Sequence, residues 1–287
     1  MDHPRSATPV DRTDSDPVRG RDLETTSAHR CWRPVLVSLW AVSLVLIALS
    51  AVMPMVLGLE PGDRTSPVRV FVDVTGERNL PAWWNSGLFL VAAVLSLGVG
   101  MLRRSAGMPG LWGWLGMSAL LAAMSLDELT SIHERLPGVY ERLFGENPLE
   151  VYQWLMLGVP LAAAVLLFTW WTIRGLPRPS QRLFGAGFVV FFLGAIGVEA
   201  VTAVLLPTIG QESVTYVVLY HLEEALEFLG ASLMAVAPLG AVVLRRTVRG
   251  THRLDWMNTA RVGRSDADDS ARESWIEARN GAVDSPW

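Results

Sequence analysis

Six long stretches of the chain consist almost entirely of apolar residues, and shorter polar segments separate them. A helix needs roughly 18 to 20 such residues to cross a hydrocarbon core of about 30 Å. The pattern therefore predicts an all-α fold, that of a polytopic membrane protein with six transmembrane helices. The predicted spans are residues 34–57, 84–102, 111–136, 151–173, 183–206 and 214–244.

Both ends of the chain lack this apolar pattern. Residues 1–30 are polar, proline-containing and of mixed charge, which is the composition of a segment that cannot bury a core. Residues 249–287 are similar, although a short helix could form there. We expect a six-helix transmembrane domain over residues 31–248, between a disordered cytoplasmic tail and a disordered or partly helical one.

The distribution of arginine predicts the orientation of the spans. Hydrophobic residues make up 51% of the chain and charged residues only 18%, and every one of the 24 basic residues is arginine. Arginines are frequent before the first span, between spans 2 and 3, between spans 4 and 5, and after span 6. Because basic loops stay on the cytoplasmic side, we expect both termini to be cytoplasmic.

Charge and cysteine content exclude some classes of function. The net charge is −4 and no basic face is evident, so we expect no nucleic-acid partner. A single cysteine, Cys31, excludes an internal disulfide framework and a cysteine-based metal centre. The oligomeric state is left open.

Two connecting loops carry patterns of their own. Residues 68–74 alternate between apolar and polar side chains, which predicts a short strand in a loop that could cover the outer face as a lid. In the loop after span 3, Val139, Tyr140, Leu143 and Phe144 form an amphipathic pattern suited to the membrane surface.

The predicted membrane zone contains ionisable residues, which are costly there and therefore functional candidates. With a rise of about 1.5 Å per residue, the acids of spans 3, 5 and 6 reach a similar depth in the outer half of the bilayer. These residues are Asp127, Glu128, Glu199, Glu223, Glu224 and Glu227, together with His133 and His221.

The third span raises a geometric problem. Glu128 and His133 lie on flanks about 140° apart on an ideal helix, so a single metal could not easily bind both. Either the two side chains face different neighbours, or this helix contains a local distortion such as a π-bulge.

Carboxylates and imidazoles without thiolates suit a divalent metal ion such as Fe, Mn or Zn. On this basis we predict the metal ligands Asp127, His133, Glu199, His221 and Glu224. Glu128, Glu223 and Glu227 are the predicted catalytic residues, because buried carboxylates suit general acid or base work.

Three functions are consistent with this set of ionisable residues. The first is a metal-dependent enzyme that acts on a lipid-like substrate, with membrane lipids as its surroundings. The second is a cation or proton transporter that uses the same acids. The third is a structural membrane protein in which polar residues hold helices together.

The strings "LDELTSIHERL", "RNLPAWW" and "EEALEFLGASL" stand in or beside spans 3, 2 and 6. The chain resembles an uncharacterised group of bacterial six-helix integral membrane proteins in these strings. The resemblance implies a multi-pass protein of the bacterial plasma (inner) membrane, and it implies no activity.

Overall fold

The computed structural model of the chain describes residues 28–29, 31–59, 65–145, 153–246 and 252–256. Helices dominate this part of the chain. The α-helices are α1 (Trp32–Leu57), α2 (Pro67–Val72), α3 (Leu80–Ser105), α4 (Leu111–Thr130), α5 (Leu136–Phe144), α6 (Gln153–Ile173), α7 (Arg178–Phe192), α8 (Glu199–Ile209) and α9 (Val214–Val236). A π-helix, Leu193–Val198, joins α7 to α8, and 3₁₀-helices cover His133–Arg135 and Ala237–Ala241.

Five of the described helices are long and apolar enough to cross a membrane. They run over Trp32–Leu57, Leu80–Ser105, Met156–Ile173, Arg178–Ile209 and Val214–Ala241. The chain is therefore a helical protein with the features of a membrane protein, as the hydrophobic pattern predicts. Helix α4 has 20 residues but is not among the five, and it carries Asp127 and Glu128 near its end.

The third predicted span, residues 111–136, is shorter in the structure. Helix α4 ends at Thr130, where Ser131 takes the left-handed conformation (φ 52°) and its N–H bonds to the carbonyl of Asp127 at 2.7 Å. The chain then continues as the 3₁₀-helix and as α5, which packs against α6. On α5, Val139 and Leu143 are exposed, in keeping with the amphipathic pattern.

The sixth predicted span is also shorter, and a small sheet follows it. Helix α9 ends at Val236, and Pro238 stands in the next turn, where its ring and missing N–H prevent a regular helix from continuing. Strand β2 (Val242–Arg246) then pairs antiparallel with β1 (Ala28–His29) and β3 (His252–Trp256). The fold is thus mostly rather than entirely α-helical. Both outer strands come from the segments predicted as tails, whose other residues lie outside the described ones.

The strand predicted over residues 68–74 is wrong. Residues Pro67–Val72 form helix α2, which begins at Ser66, whose Oγ accepts a hydrogen bond from the N–H of Arg69 at 3.5 Å. A capping serine followed by proline is a local start signal for a helix, and here it outweighs the alternation of valines.

Three contacts bring the arginine-rich helix ends to the same side of the bundle. Strands β1 and β2 pair beside the start of α1 and the end of α9, and the Arg103 guanidinium near the end of α3 lies 6.0 Å from the ring of Trp256. Gly110, before α4, approaches Gly175, after α6, so closely that a Cβ would lie 2.9 Å from the Gly175 carbonyl oxygen. We call this side the arginine end.

The half of the bundle nearer the arginine end is a closely packed core. Trp114, Met117, Phe184, Phe188 and Met234 are fully buried there. The Trp114 and Phe184 rings meet edge to face at 6.3 Å. Helix α9 runs through the centre, where it packs against α1, α3, α7 and α8.

Candidate functional site: an acid-lined cavity

A cavity of about 920 Å³ lies in the half of the bundle away from the arginine end. We call it the acid cavity. Apolar residues from α4, α6, α7 and α8 form much of its wall, and no arginine is among its described lining residues. The ionisable groups that line it are Glu77, Asp127, Glu128, His133, Glu199, Glu223, Glu224 and Glu227. Seven of the eight predicted site residues therefore face one space.

Helix α9 supplies one wall of the acid cavity. Ser213 starts this helix by accepting a hydrogen bond from the N–H of Tyr216 at 3.1 Å. Residues three or four positions apart share one face of a helix. This spacing brings Tyr216, Tyr220, Glu223, Glu224 and Glu227 to the cavity.

The π-helix precedes Glu199 directly. The sequence allows for such a distortion in the third span, and the structure has it in the fifth, at Leu193–Val198. A π-turn inserts a residue and so rotates everything that follows, which is why it often occurs at functional sites. At Gly194 the π-helix touches α9, because a Cβ there would lie 2.7 Å from the carbonyl oxygen of Glu223. Only glycine permits this approach.

Glu128 is held from the neighbouring helix α3. The Nδ2 of Asn85, a fully buried residue, donates a hydrogen bond to Glu128 Oε1 at 3.0 Å. The same two helices are joined by a pair of serines. Ser86 Oγ donates to the backbone carbonyl of Ser125 at 2.8 Å, and Ser125 Oγ donates to that of Ser86 at 2.9 Å, so the two helices lie close together. The sequence analysis missed Asn85, although an asparagine inside an apolar span is itself a signal.

Asp127 and His133 bind each other at the mouth of the acid cavity. The Asp127 carboxylate accepts the backbone N–H of His133 at 3.0 Å and lies 3.0 Å from its Nδ1. The left-handed Ser131 lets the chain fold back in this way, so the 140° separation of an ideal helix does not apply. The hydrogen bond to Asp127 raises the pKa of His133 to about 9.

We expect the substitution Asp127→Asn to lower the pKa of His133 from about 9 toward its ordinary value of 6.5. Because the pKa is raised in the fold, the pair stabilises the protein fully below about pH 6.5, and this contribution is lost as the pH rises through about 9. NMR titration of protein labelled at the histidine rings, with His133→Gln to assign the signal, measures the change. The variant Glu141→Gln, on exposed α5, serves as the control. An unchanged pKa in Asp127→Asn would show that other groups set it.

His221 is the one predicted site residue that does not line the acid cavity. Its Nδ1 lies 2.8 Å from the carbonyl oxygen of Val217 on its own helix, and its ring stacks on Tyr220 at 4.4 Å. Its Nε2 is buried and has no hydrogen-bond partner among the described residues. The predicted metal ligands His221 and Glu224 therefore do not point to one common site.

The geometry gives no support to the predicted divalent metal ion, whether Fe, Mn or Zn. Within the described parts of the chain, no three His, Cys, Asp or Glu side chains are placed to hold one ion. Both predicted histidine ligands have other partners, since His133 is bound to Asp127 and His221 to a backbone carbonyl. Side chains can line one cavity without lying close enough together to bind one ion.

A second polar group lies beside the acid cavity and holds its cover. Arg69 of α2 is only 2% exposed, and its Nη1 lies 3.1 Å from Asp73 Oδ1 and 3.5 Å from Ser50 Oγ of α1. The same Ser50 Oγ accepts the N–H of Val74 at 3.2 Å. Residues 74–77, which line the cavity and form this cover, are thereby held in place.

Glu77 ties this cover to the opposite wall. Its Oε2 accepts a hydrogen bond from Ser131 Oγ at 3.1 Å, which joins the cover to the end of α4. The sequence analysis singled out neither Glu77 nor Arg69. The spacing of Arg69 and Asp73 by four residues, suited to an ion pair on a helix, was the available signal.

The fold and the cavity define a class: a helical protein with five described helices that are long and apolar enough to cross a membrane, and with an acid-lined cavity in one half of its bundle. A family described as Domain of unknown function (DUF8692) matches residues 36–242, and the chain belongs to this family. No curated protein and no solved structure matches the chain.

Proposed function

We propose that this protein is a six-span protein of the bacterial inner membrane with both termini in the cytoplasm. Helix α4 would be the sixth span, beside the five helices that are apolar enough by themselves. The meeting of the arginine-rich helix ends on one side supports this orientation, because basic segments remain cytoplasmic. The acid cavity would then open toward the outer leaflet.

We further propose that the acid cavity binds a lipid-like substrate and carries out proton transfer on it. The observation that supports this function is a single cavity that is lined by both carboxylates and apolar side chains. Its volume of about 920 Å³ falls within the roughly 300 to 1,000 Å³ of small-molecule sites. Glu128, Glu223 and Glu227 are the proposed acid and base groups.

Access from the membrane is supported by the apolar side chains of α6 and α8. Both helices line the acid cavity, α6 with Leu161 and Val165 and α8 with Ala203 and Leu206. Helix α6 packs against α4, α5, α7 and the π-helix, and α8 packs against α9 and the π-helix. We propose that an acyl chain enters along these apolar side chains.

The alternatives have less support. A transporter needs a path to the other side, whereas the half beyond the acid cavity is filled by fully buried side chains such as Trp114 and Phe188. A metal-dependent mechanism lacks a three-ligand group among the described residues. A purely structural role leaves the large cavity without an explanation.

Blocking the acid cavity tests the proposal. Ala123 lines the cavity, whereas the neighbouring Ala122, which is also exposed, is not a lining residue. We expect wild-type protein and Ala122→Phe, extracted with native lipids, to retain a specific amphipathic molecule in native mass spectrometry. Ala123→Phe should lose most of it, because the ring occupies the cavity. Equal retention by the two variants would contradict the proposal.

The same measurement separates catalysis from transport. If Glu227 transfers a proton during a reaction, Glu227→Gln should accumulate a bound molecule that differs in mass from the one retained by the wild type. Identical molecules on both proteins, with uptake of that molecule into sealed proteoliposomes, would favour the transporter instead.

A further inference from the structure

We propose that the molecule bound in the acid cavity is an amphipath with an ammonium headgroup. This inference rests on the proposed function and names the class of its substrate. The carboxylates would bind the headgroup, and the apolar chain would lie along the apolar lining residues of α6 and α8.

The charges that line the cavity favour a cation. Seven carboxylates face it, against the single imidazole of His133, which already binds Asp127. Among the described residues, no hydrogen bond or ion pair is made to the remaining four glutamates of the fifth and sixth spans, Glu199, Glu223, Glu224 and Glu227. A buried carboxylate needs a proton or a positive partner. A headgroup that carries negative charge would be repelled here.

Asn85 fixes the position of one of these carboxylates. Its side chain is fully buried, and its Nδ2 donates a hydrogen bond to Glu128 Oε1 at 3.0 Å. Asn85 is not itself a lining residue, so it holds Glu128 at the cavity wall from behind.

Aromatic rings add a third feature. Tyr216 and Tyr220 lie edge to face with centroids 5.3 Å apart, and Phe191 and Phe192 do so at 5.4 Å, and all four line the cavity. The faces of aromatic rings attract cations, most strongly where water is excluded.

The remaining wall argues against a bare cation. Leu161, Ala162, Val165 and Leu206 line the side toward α6 and α8. Leu161 is also 54% exposed, at the edge that meets the membrane. A hydrated metal ion or a free polyamine would leave this surface unused, whereas an alkyl chain would cover it.

The test compares three probes that share an 18-carbon chain: octadecylamine, octadecanol and octadecanoic acid, near pH 7 in neutral detergent. Native mass spectrometry gives the affinity of the full-length protein for each probe. We expect the amine to bind at least tenfold more tightly than the alcohol or the acid. The double variant Glu224→Gln/Glu227→Gln should reduce this preference to less than threefold, because it removes two of the negative groups.

Two further variants keep the result interpretable. Glu224→Asp retains the charge, so it should retain most of the preference, and a thermal melt checks that each variant is folded. Glu141→Gln removes an exposed acid outside the cavity and should behave as the wild type.

The outcomes distinguish a failure of the ammonium inference from a failure of the proposed function. If the alcohol or the acid binds as well as the amine, and Ala123→Phe abolishes that binding, the ammonium inference fails and the proposed function stands. If none of the probes binds and no native amphipath is retained, both fail. A stoichiometric metal that is lost in Glu224→Gln would also overturn the ammonium inference.

Discussion

Replacing Gly230 with valine is expected to destabilise the folded protein by about 3 kcal/mol or more, at the upper end of overpacking effects. Helices α7 and α9 approach each other at Gly187 and Gly230. A Cβ on Gly230 would lie 2.7 Å from both the Gly187 carbonyl oxygen and the Phe191 backbone nitrogen. Backbone atoms of a packed helix cannot move aside as a flexible side chain can. Thermal unfolding in detergent measures the loss.

The control for this change is Gly98→Val in α3. A Cβ at Gly98 would meet nothing within 4 Å, so the same substitution should cost little there. Because Phe191 also lines the acid cavity, Gly230→Val should weaken ligand binding in any protein that remains folded. Equal stability of the two variants would show that α7 and α9 can separate at low cost.

The substitution Arg69→Met should cost about 3 to 5 kcal/mol, as is typical when one partner of a buried ion pair is removed. Arg69 and Asp73 are both almost fully buried and their charged atoms lie 3.1 Å apart. Methionine retains most of the volume but leaves the Asp73 carboxylate without its cation. The hydrogen bond from Arg69 to Ser50 is lost as well, and with it one anchor of the cover.

A double-substitution cycle tests this explanation. Arg69→Met with Asp73→Asn removes both charges and should recover part of the stability, whereas Arg142→Met on exposed α5 should have almost no effect. If the single and double variants unfold at the same temperature, then lost packing rather than the unpaired charge explains the cost.

Local signals in the sequence were sufficient for the helices that are long and apolar enough to cross a membrane. A hydrophobic run of sufficient length forms a helix in lipid whatever its neighbours are, because its backbone must satisfy its own hydrogen bonds. The ends were harder to predict. Ser131 and Pro238 end their helices inside the predicted spans, and at α2 the Ser66 cap overrides an alternating pattern.

The candidate site, too, could be predicted only in part from the sequence. An acid in an apolar run can be recognised from the sequence, and seven of the eight residues chosen in this way line the acid cavity. Their partners are determined by contacts between distant parts of the chain. Asn85 meets Glu128 across 43 residues and Ser50 meets Arg69 across 19, and neither separation leaves a periodic signal.

By itself, the sequence determined that this chain is mostly helical and that several of its helices are long and apolar enough to cross a membrane, because length and composition are properties of single segments. Only the tertiary structure decided that His221 bonds to its own helix, that the π-helix precedes Glu199 and that no three ligands among the described residues share an ion. These features depend on how one helix rotates against another. Close approaches such as that of Gly194 to Glu223 set that rotation, and the periodicity of either helix alone does not contain it.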